Sequence, residues 1–309
     1  MAKVFIDGSA GTTGLRLQSR LSARDDVELI TLPEELRKDA NARRDALAAA
    51  DVAFLCLPDA AAVESAQLAA DKTIVIDTST AHRVNDDWAY GFAELTGQRE
   101  KIAASKRIAN PGCHASGFIS LVRPLTEHGI IAKDARLSCV SLTGYSGGGK
   151  KMIADYENSE NEEALRAPRM YGITQAHKHL PEMVKQCMLE NAPVFMPIVS
   201  SYYAGMEVTV PVFASELRGS TEDIKEIYKA YYKGKLVKFV ENADENGFLS
   251  ASSRQGRDDM EISVSGSAER ILLTARFDNL GKGASGAAIQ NMNIALGLDE
   301  TYGLVVEKE

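Results

Sequence analysis

No two cysteines in this chain stand close enough to act as a pair. Cys56, Cys113, Cys139 and Cys187 include no C-x-x-C motif, so neither a zinc site nor a disulfide framework is suggested. No apolar run approaches membrane-spanning length. Basic residues never gather beyond short pairs such as Arg43-Arg44 and Lys150-Lys151, and the net charge is −8. That balance argues against nucleic acid or an anionic membrane as the main partner. The N-terminus passes from Met1-Ala2-Lys3 directly into a β-prone run, leaving no room for a signal segment, so a cytoplasmic protein is expected. Internal repeats and low-complexity stretches are also missing. What is present is an ordinary globular composition, 45% apolar and 25% charged, over 309 residues, enough for two domains.

The first third alternates β-prone and helical segments. Val4 to Asp7 precedes Gly8-Ser9-Ala10-Gly11-Thr12-Thr13-Gly14, and the helical spacing of Leu15, Leu17 and Leu21 follows. The spacing G-x-x-G-x-x-G is a variant of the dinucleotide fingerprint. Its glycines permit a tight turn, close backbone approach to a pyrophosphate, and a helix N-terminus aimed at the phosphates. Such a turn can also serve chain geometry alone. Strands at 27–32, 52–57 and 73–77 and helices at 40–50 and 60–70 extend the alternation into a doubly wound parallel sheet. A site for NAD usually places an acid at the end of the second strand. Here that end reads Leu29-Ile30-Thr31-Leu32-Pro33, with Arg37 and Lys38 close by, which favours the 2′-phosphate of NADP. Glu34 and Glu35 lie there too, and a solvated surface is the competing reading of Arg37 and Lys38. Leu57-Pro58-Asp59 and Asp77-Thr78-Ser79 follow the third and fourth strands, where open sheets bind ligands and where capped turns also occur.

Asn110-Pro111-Gly112-Cys113-His114 sets a thiol at the point where a helix begins, since Phe118, Ile119, Leu121, Val122 and Leu125 share one helical face. Unsatisfied amides and the positive dipole end there favour thiolate, the nucleophilic form. A small buried hydrophobe is the plain alternative. A strand at 136–143 leads into Gly144-Tyr145-Ser146-Gly147-Gly148-Gly149-Lys150, whose successive amides can cradle an anion or form a flexible loop. His177-Lys178-His179 precedes Glu182 at the start of a helix through Leu189. Zinc needs more ligands than this segment supplies, so a proton-transfer pair is the more economical reading; no metal is expected. Met206, Val208, Val210 and Val212, and likewise Ile271, Leu273, Ala275 and Phe277, alternate with polar or exposed positions. This predicts a mixed or antiparallel sheet with one buried face, the other polar or covered by a partner.

Taken together, Gly8 to Gly14, Cys56-Leu57-Pro58-Asp59, Asp77-Thr78-Ser79, Asn110-Pro111-Gly112-Cys113, Gly144-Tyr145-Ser146-Gly147, His177-Lys178-His179-Leu180-Pro181-Glu182 and Asp278-Asn279-Leu280-Gly281-Lys282-Gly283 resemble the N-acetyl-γ-glutamyl-phosphate reductase family in its shorter form. The cysteine motif is shared with aspartate-semialdehyde dehydrogenase relatives; the histidine segment and the tail are the specific parts. Longer members carry an aromatic residue after the cysteine and an arginine between the histidines, where this chain has His114 and Lys178.

The resemblance implies an α/β protein: a Rossmann domain over 1–112, completed by a C-terminal helix at about 284–309, and an α+β catalytic and dimerisation domain with a mixed sheet over 113–283. It also implies NADPH-dependent reduction of an acyl phosphate to a semialdehyde through a Cys113 thioester. His179 would carry the proton, oriented by Glu182, with His177 as the alternative carrier. Gly8, Ser9, Ala10, Gly11, Thr12, Thr13, Gly14, Thr31, Arg37, Leu57, Pro58, Ser79, Asn279 and Gly281 are expected on the cofactor. Asn110, Ser146, Gly147 and Gly148 are expected on the substrate. The partners implied are the small-molecule substrate, phosphate and further copies of the chain in a dimer or tetramer. A related aspartyl or aminoadipyl phosphate is the competing substrate, and a non-catalytic NADP-sensing protein is the competing class.

Overall fold

The computed structural model describes residues 1–158 and 163–307. The chain divides into two units, Met1–Pro111 with Ala284–Leu304, and Gly112–Gly283 with the residues from Val305.

In the first unit β1 (Ala2–Asp7), α1 (Thr12–Leu21), β2 (Val27–Ile30), α2 (Ala40–Ala49), β3 (Val52–Leu55), α3 (Asp59–Leu68) and β4 (Ile74–Asp77) alternate, followed by β5 (Ala89–Tyr90), α4 (Gln98–Ala104) and β6 (Arg107–Ala109). All strands pair in parallel, in the order β2-β1-β3-β4-β6-β5. Residues of β3 and β4 are buried at every position, because helices cover both faces of a parallel sheet. The doubly wound parallel sheet expected from the β/α alternation is therefore present. Strand order diverges between β1 and β3, and the turns after those strands carry Gly8 and Leu57. Such a switch point is where open α/β sheets bind ligands.

A helix over Gly286–Ala295 returns to this unit and packs on β4 and α4. Its Ala288, Ile289 and Met292 enter the same core as Val4, Ile6, Phe54 and Ile76. A helix continuing to about residue 309 is expected from the resemblance; instead the helix closes after three turns. Gly297 adopts φ +70, its N–H bonds the Ile294 carbonyl at 3.0 Å, and the Leu298 N–H bonds Asn293 at 2.8 Å. This is a Schellman closure, which glycine permits without Cβ strain. The last two residues, 308–309, lie outside the described residues.

The second unit comprises α5 (Cys113–Glu127), β7 (Ser138–Gly144), α6 (Gly149–Glu157), β8 (Arg169–Met170), α7 (Leu180–Gln186), β9 (Val194–Ser200), β10 (Met206–Phe213), α8 (Thr221–Tyr231), β11 (Val237–Phe239), β12 (Met260–Gly266) and β13 (Arg270–Phe277). Its seven strands form a mixed sheet in the order β11-β12-β13-β10-β7-β9-β8. Helix α5 lies across β10 and β13. It comes so close at Gly117 that a Cβ there would stand 2.4 Å from Val208 Cγ2 and 3.0 Å from Phe277. Pro124, inside α5, has no N–H for the Ser120 carbonyl. The Tyr232 hydroxyl, reaching from the end of α8, donates to that carbonyl at 2.5 Å, so the helix runs through the proline.

The buried face of the sheet is the one predicted by the alternation. The opposite face is less exposed than period-two patterning implies, since Thr274 and Arg276 are also buried. Arg276 bonds Glu261 of β12 and Glu245 at 2.6 Å each, so two carboxylates engage its side chain at that end of β13. Leu272 remains 39% exposed.

Candidate active site

In the first unit the turn after β1 is built by glycines without room for side chains. Gly8 has φ +85, and a Cβ on it would meet the Cys56 carbonyl oxygen at 2.3 Å. At Gly14 a Cβ would meet the Gly8 carbonyl at 2.4 Å, so α1 can start only against a bare backbone. Gly11 differs: a Cβ there would find nothing nearer than 3.5 Å. Gly11 also precedes α1 without supplying a side-chain cap, and the Thr12 hydroxyl is buried without a partner among the described residues. A pyrophosphate set at this helix N-terminus would satisfy both. The adjoining cavity, about 360 Å³, is lined by Gly8, Ser9, Ala10 and Leu57, and at the end of β2 by Thr31, Glu34, Arg37 and Lys38. The residues present thus fit a dinucleotide.

Other residues singled out from the sequence make structural hydrogen bonds of their own. Pro58 sets the start of α3, where Asp59 accepts from the Thr80 N–H at 2.9 Å and ties the turns after β3 and β4 together. Ser79 directs its N–H and hydroxyl to Asp77 at 2.9 and 2.7 Å; Asp77 also holds His82 Nδ1 at 2.6 Å, and His82 stacks on Trp88. Asn110 is 1% exposed. Its Nδ2 donates to the Ala284 carbonyl at 3.1 Å and its Oδ1 accepts from Asn291 at 3.0 Å, so its side chain braces the first unit.

In the second unit Cys113 is the first residue of α5 and is half-buried. Gly112 offers no side chain to cap that end, so the helix start that carries the thiol has no N-cap side chain on its first-turn amides. Glu182 in the first turn of α7 is almost wholly buried, and its Oε1 accepts the Gly112 N–H at 2.9 Å. The acid expected to orient a histidine also braces the turn that carries Cys113. Gly283 packs from the other side, where a Cβ would lie 3.0 Å from that of Cys113.

Three imidazoles gather around this turn. The His179 ring centroid is 4.8 Å from His177 and 5.7 Å from His114, and His177 is 5.8 Å from His114, with Phe195 as an apolar wall. His179 is 5% exposed. Its backbone N–H donates to His177 Nδ1 at 3.2 Å, so His177 keeps its proton on Nε2. Burial, and after it the charge of Lys178, lowers the pKa of His177. Burial, aided by His177, takes His114 down to about 3. Tyr171 joins the group through His114, and burial together with the Cys113 charge raises its pKa. Elsewhere, Cys56 is pushed up to about 12 by burial, with Thr78 opposing and Asp77 and Asp7 adding; burial likewise raises Cys139 and Cys187. These three thiols are protonated and unreactive at neutral pH.

Asn279 and Gly281, expected on the cofactor, belong to the second unit. Asn279 Nδ2 donates to the Ser146 hydroxyl at 3.0 Å, and its Oδ1 accepts the Gly205 N–H at 2.9 Å. It thereby fastens the glycine loop that holds Gly147 and Gly148, both exposed. Gly281 lies against Arg257, whose carbonyl leaves no space for a Cβ. Tyr171, Ser141 and Phe195, which complete the cluster, carry no mark in the sequence: each lies 28 or more residues from Cys113, in a strand or an ordinary turn. No group of three or more His, Cys, Asp or Glu able to hold a metal occurs among the described residues. No described helix is long and apolar enough to cross a membrane.

Residues 3–105 match the family model described as the semialdehyde dehydrogenase NAD binding domain, and residues 113–279 match the semialdehyde dehydrogenase dimerisation domain. The fold is shared with aspartate semialdehyde dehydrogenase II from Vibrio cholerae at a TM-score of 0.71 and 16% identity, covering 96% of this chain and 99% of that one. It is shared too with the Candida albicans aspartate semialdehyde dehydrogenase with NADP, at 0.66 and 16%, covering 95% and 98%. N-acetyl-gamma-glutamyl-phosphate reductase of Brucella suis strain ATCC 23445 is 46% identical over 306 residues, 96% of this chain and 99% of that protein. The reductase of that name from Brucella ovis is 45% identical over the same shares. With a nicotinamide-dinucleotide-binding domain, a dimerisation domain and near-half identity over almost its whole length, the chain belongs to the N-acetyl-gamma-glutamyl-phosphate reductase family.

Proposed function

We propose that the chain reduces N-acetyl-L-glutamyl 5-phosphate to N-acetyl-L-glutamate 5-semialdehyde with release of phosphate, a step of arginine biosynthesis. The observation that carries this reading is Cys113 at the uncapped start of α5, braced through Gly112 by Glu182 and surrounded by His114, His177 and His179. The Cys113 thiolate attacks the acyl carbon, a C–S bond forms, and the C–O bond to phosphate breaks with phosphate as leaving group. First-turn amides of α5 hold the developing oxyanion. The glycine turn at Gly8, Gly11 and Thr12 and the cavity lined by Thr31, Arg37 and Lys38 would hold the dinucleotide, which would supply the hydride that takes the thioester carbon to the aldehyde level. As the oxyanion collapses to the aldehyde and the C–S bond breaks, His179 gives its proton to the departing sulfur, which returns as thiol. It takes that proton back when the thiol next ionises to attack. Ser146, Gly147 and Gly148 present their loop to the anionic end of the substrate, and Asn279 keeps that loop in place.

The experiment is the reverse reaction: oxidation of N-acetylglutamate semialdehyde that requires both inorganic phosphate and NADP⁺. Comparable rates with aspartate or N-acetyl-aminoadipate semialdehyde would reassign the substrate, and no turnover with any of them would leave a dinucleotide-binding protein. Within this reading the cofactor is NADP(H), because Thr31, Arg37 and Lys38 line the cavity at the end of β2. Arg37→Ala is expected to raise KM for NADP⁺ about tenfold while hardly changing that for NAD⁺, as loss of one phosphate contact would. Equal effects on the two cofactors would remove Arg37 from the 2′-phosphate.

Copies of the chain associate through the second unit's sheet. Val140, Leu142, Met196 and Ile198 are only half-buried there, and Val194 and Leu272 are exposed, an apolar band that water disfavours. Sedimentation equilibrium of the intact protein should show a dimer or tetramer; a monomer at micromolar concentration would rule this out.

A further inference from the structure

Among the described residues, every buried or half-buried arginine of the second unit except Arg169 has a carboxylate beside it. Arg123 meets Glu127, Arg254 and Arg276 share Glu261, and Arg257 meets Asp259. The half-buried Arg169 has only Tyr156: its Nη2 donates to the Tyr156 hydroxyl at 3.0 Å, and its guanidinium carbon stands 5.4 Å from the centre of that ring. Its Nε is buried with no hydrogen-bond partner among the described residues, and its Nη1 has none there either. A guanidinium drawn partly out of water is unfavourable until an anion supplies the missing charge and acceptors.

The sheet register indicates which anion. Arg169 pairs with Val199 of β9, and Val199 with Thr143 of β7. Two residues on, the Tyr171 N–H bonds the Pro197 carbonyl at 3.0 Å, and Pro197 pairs with Ser141. Side chains two apart on a strand share a face. Arg169 is therefore on the face where the Tyr171 and Ser141 hydroxyls each lie 2.6 Å from a nitrogen of His114, the neighbour of Cys113. It stands one step, about 7 Å, further toward the Gly144 end of β7. There Tyr156 stacks on Tyr145 with centroids 4.7 Å apart, and a Cβ on Gly147 would lie 3.6 Å from the Thr143 hydroxyl. An acyl carbon at the Cys113 sulfur carries its phosphate directly. The α-carboxylate of an N-acetylglutamyl group is four carbon–carbon bonds away, an extended reach of about 5 Å. The second anion, not the first, matches a cation one step along the sheet.

We propose that Arg169, held by Tyr156, binds the α-carboxylate of the substrate and so selects acyl groups that carry a carboxylate at this distance. This rests on the reductase reading above. A planar guanidinium with N–H groups to spare suits the two oxygens of a carboxylate, and the pair removes the unmatched charge from the half-buried site.

The test compares two aldehydes in the phosphate- and NADP⁺-dependent reverse reaction of the intact chain. They are N-acetylglutamate 5-semialdehyde and 4-acetamidobutanal, the same molecule without its carboxylate. Arg169→Met removes the charge and keeps a linear side chain. It should lower kcat/KM for the semialdehyde about 10²- to 10³-fold, as loss of a paired charge does, and leave that for 4-acetamidobutanal within about threefold. KM for inorganic phosphate should not move. Arg169→Lys keeps the charge and loses the planar fork, so its loss with the semialdehyde should be smaller and again spare 4-acetamidobutanal. A semialdehyde rate that Arg169→Met leaves intact overturns the contact. So do an equal loss with both aldehydes in both variants, which marks a structural role, and a rise confined to KM for phosphate, which gives Arg169 to the leaving group. No turnover of either aldehyde by the unaltered chain overturns the reductase reading and this contact together, whereas the other adverse outcomes overturn the contact alone.

Discussion

Cys113→Ser is expected to abolish phosphate-dependent aldehyde oxidation, by on the order of 10⁴- to 10⁶-fold, while leaving dinucleotide binding nearly unchanged. The swap exchanges one atom at the first position of α5, where Gly283 leaves the side chain only a close fit, so the fold is retained. What is lost is acidity. A hydroxyl is far weaker as an acid than a thiol and stays protonated at the helix start, whereas the thiol can ionise and attack. The glycine turn at Gly8, Gly11 and Gly14 lies in the first unit and is untouched by the change. Steady-state rates with the semialdehyde, phosphate and NADP⁺, set beside fluorescence titration of NADPH, separate the two effects. Turnover retained in this variant would take Cys113 out of the scheme.

The second large effect belongs to His179. His179→Ala should lower turnover about 10²- to 10⁴-fold, the usual range for a positioned proton donor. Three imidazoles compete for this role, and their surroundings separate them. His114 is held neutral with both nitrogens occupied, and His177 has its pKa lowered by burial with its Nδ1 engaged by the His179 amide. Neither is suited to arrive protonated at neutral pH, and an acid must be protonated to act. His179 is the N-cap residue of α7, three residues before the glutamate that braces Gly112, so one short segment carries both the imidazole and the brace of the cysteine turn. Loss of the ring also opens space, and the rate of Cys113 alkylation in the variant shows whether the turn has shifted. An unchanged turnover would transfer the proton to His177 or to water.

Much of the framework was legible because its signals are local. Continuous apolar runs such as Val52–Leu55 and residues 74–76, separated by helical spacing, foretell parallel strands buried on both faces. Pro111-Gly112 followed by apolar residues at helical intervals foretells a helix beginning at Cys113. The alternation from Met206 to Val212 and from Ile271 to Phe277 foretells strands that bury one face. Where the reading missed, the cause was a partner distant in the chain. Arg276 is covered by Glu261 on the neighbouring strand β12 and by Glu245, 31 residues away, which period-two alternation cannot foresee. The C-terminal helix stops at Gly297 although the apolar pattern gives no early end.

By itself the sequence determined which segments are strands and helices, where glycine lets the backbone turn, and which thiol stands at a helix start, because each depends on neighbours within a few residues. Tertiary structure alone decided what every polar side chain is spent on. Glu182 meets an amide 70 residues away, Asn279 reaches Ser146 across 133, Asn110 meets Asn291 across 181, and Ser141 finds His114 across 27. Hydrogen bonds need atoms within about 3 Å in a set direction, and only the packed sheet and helices bring residues so far apart in sequence to that distance.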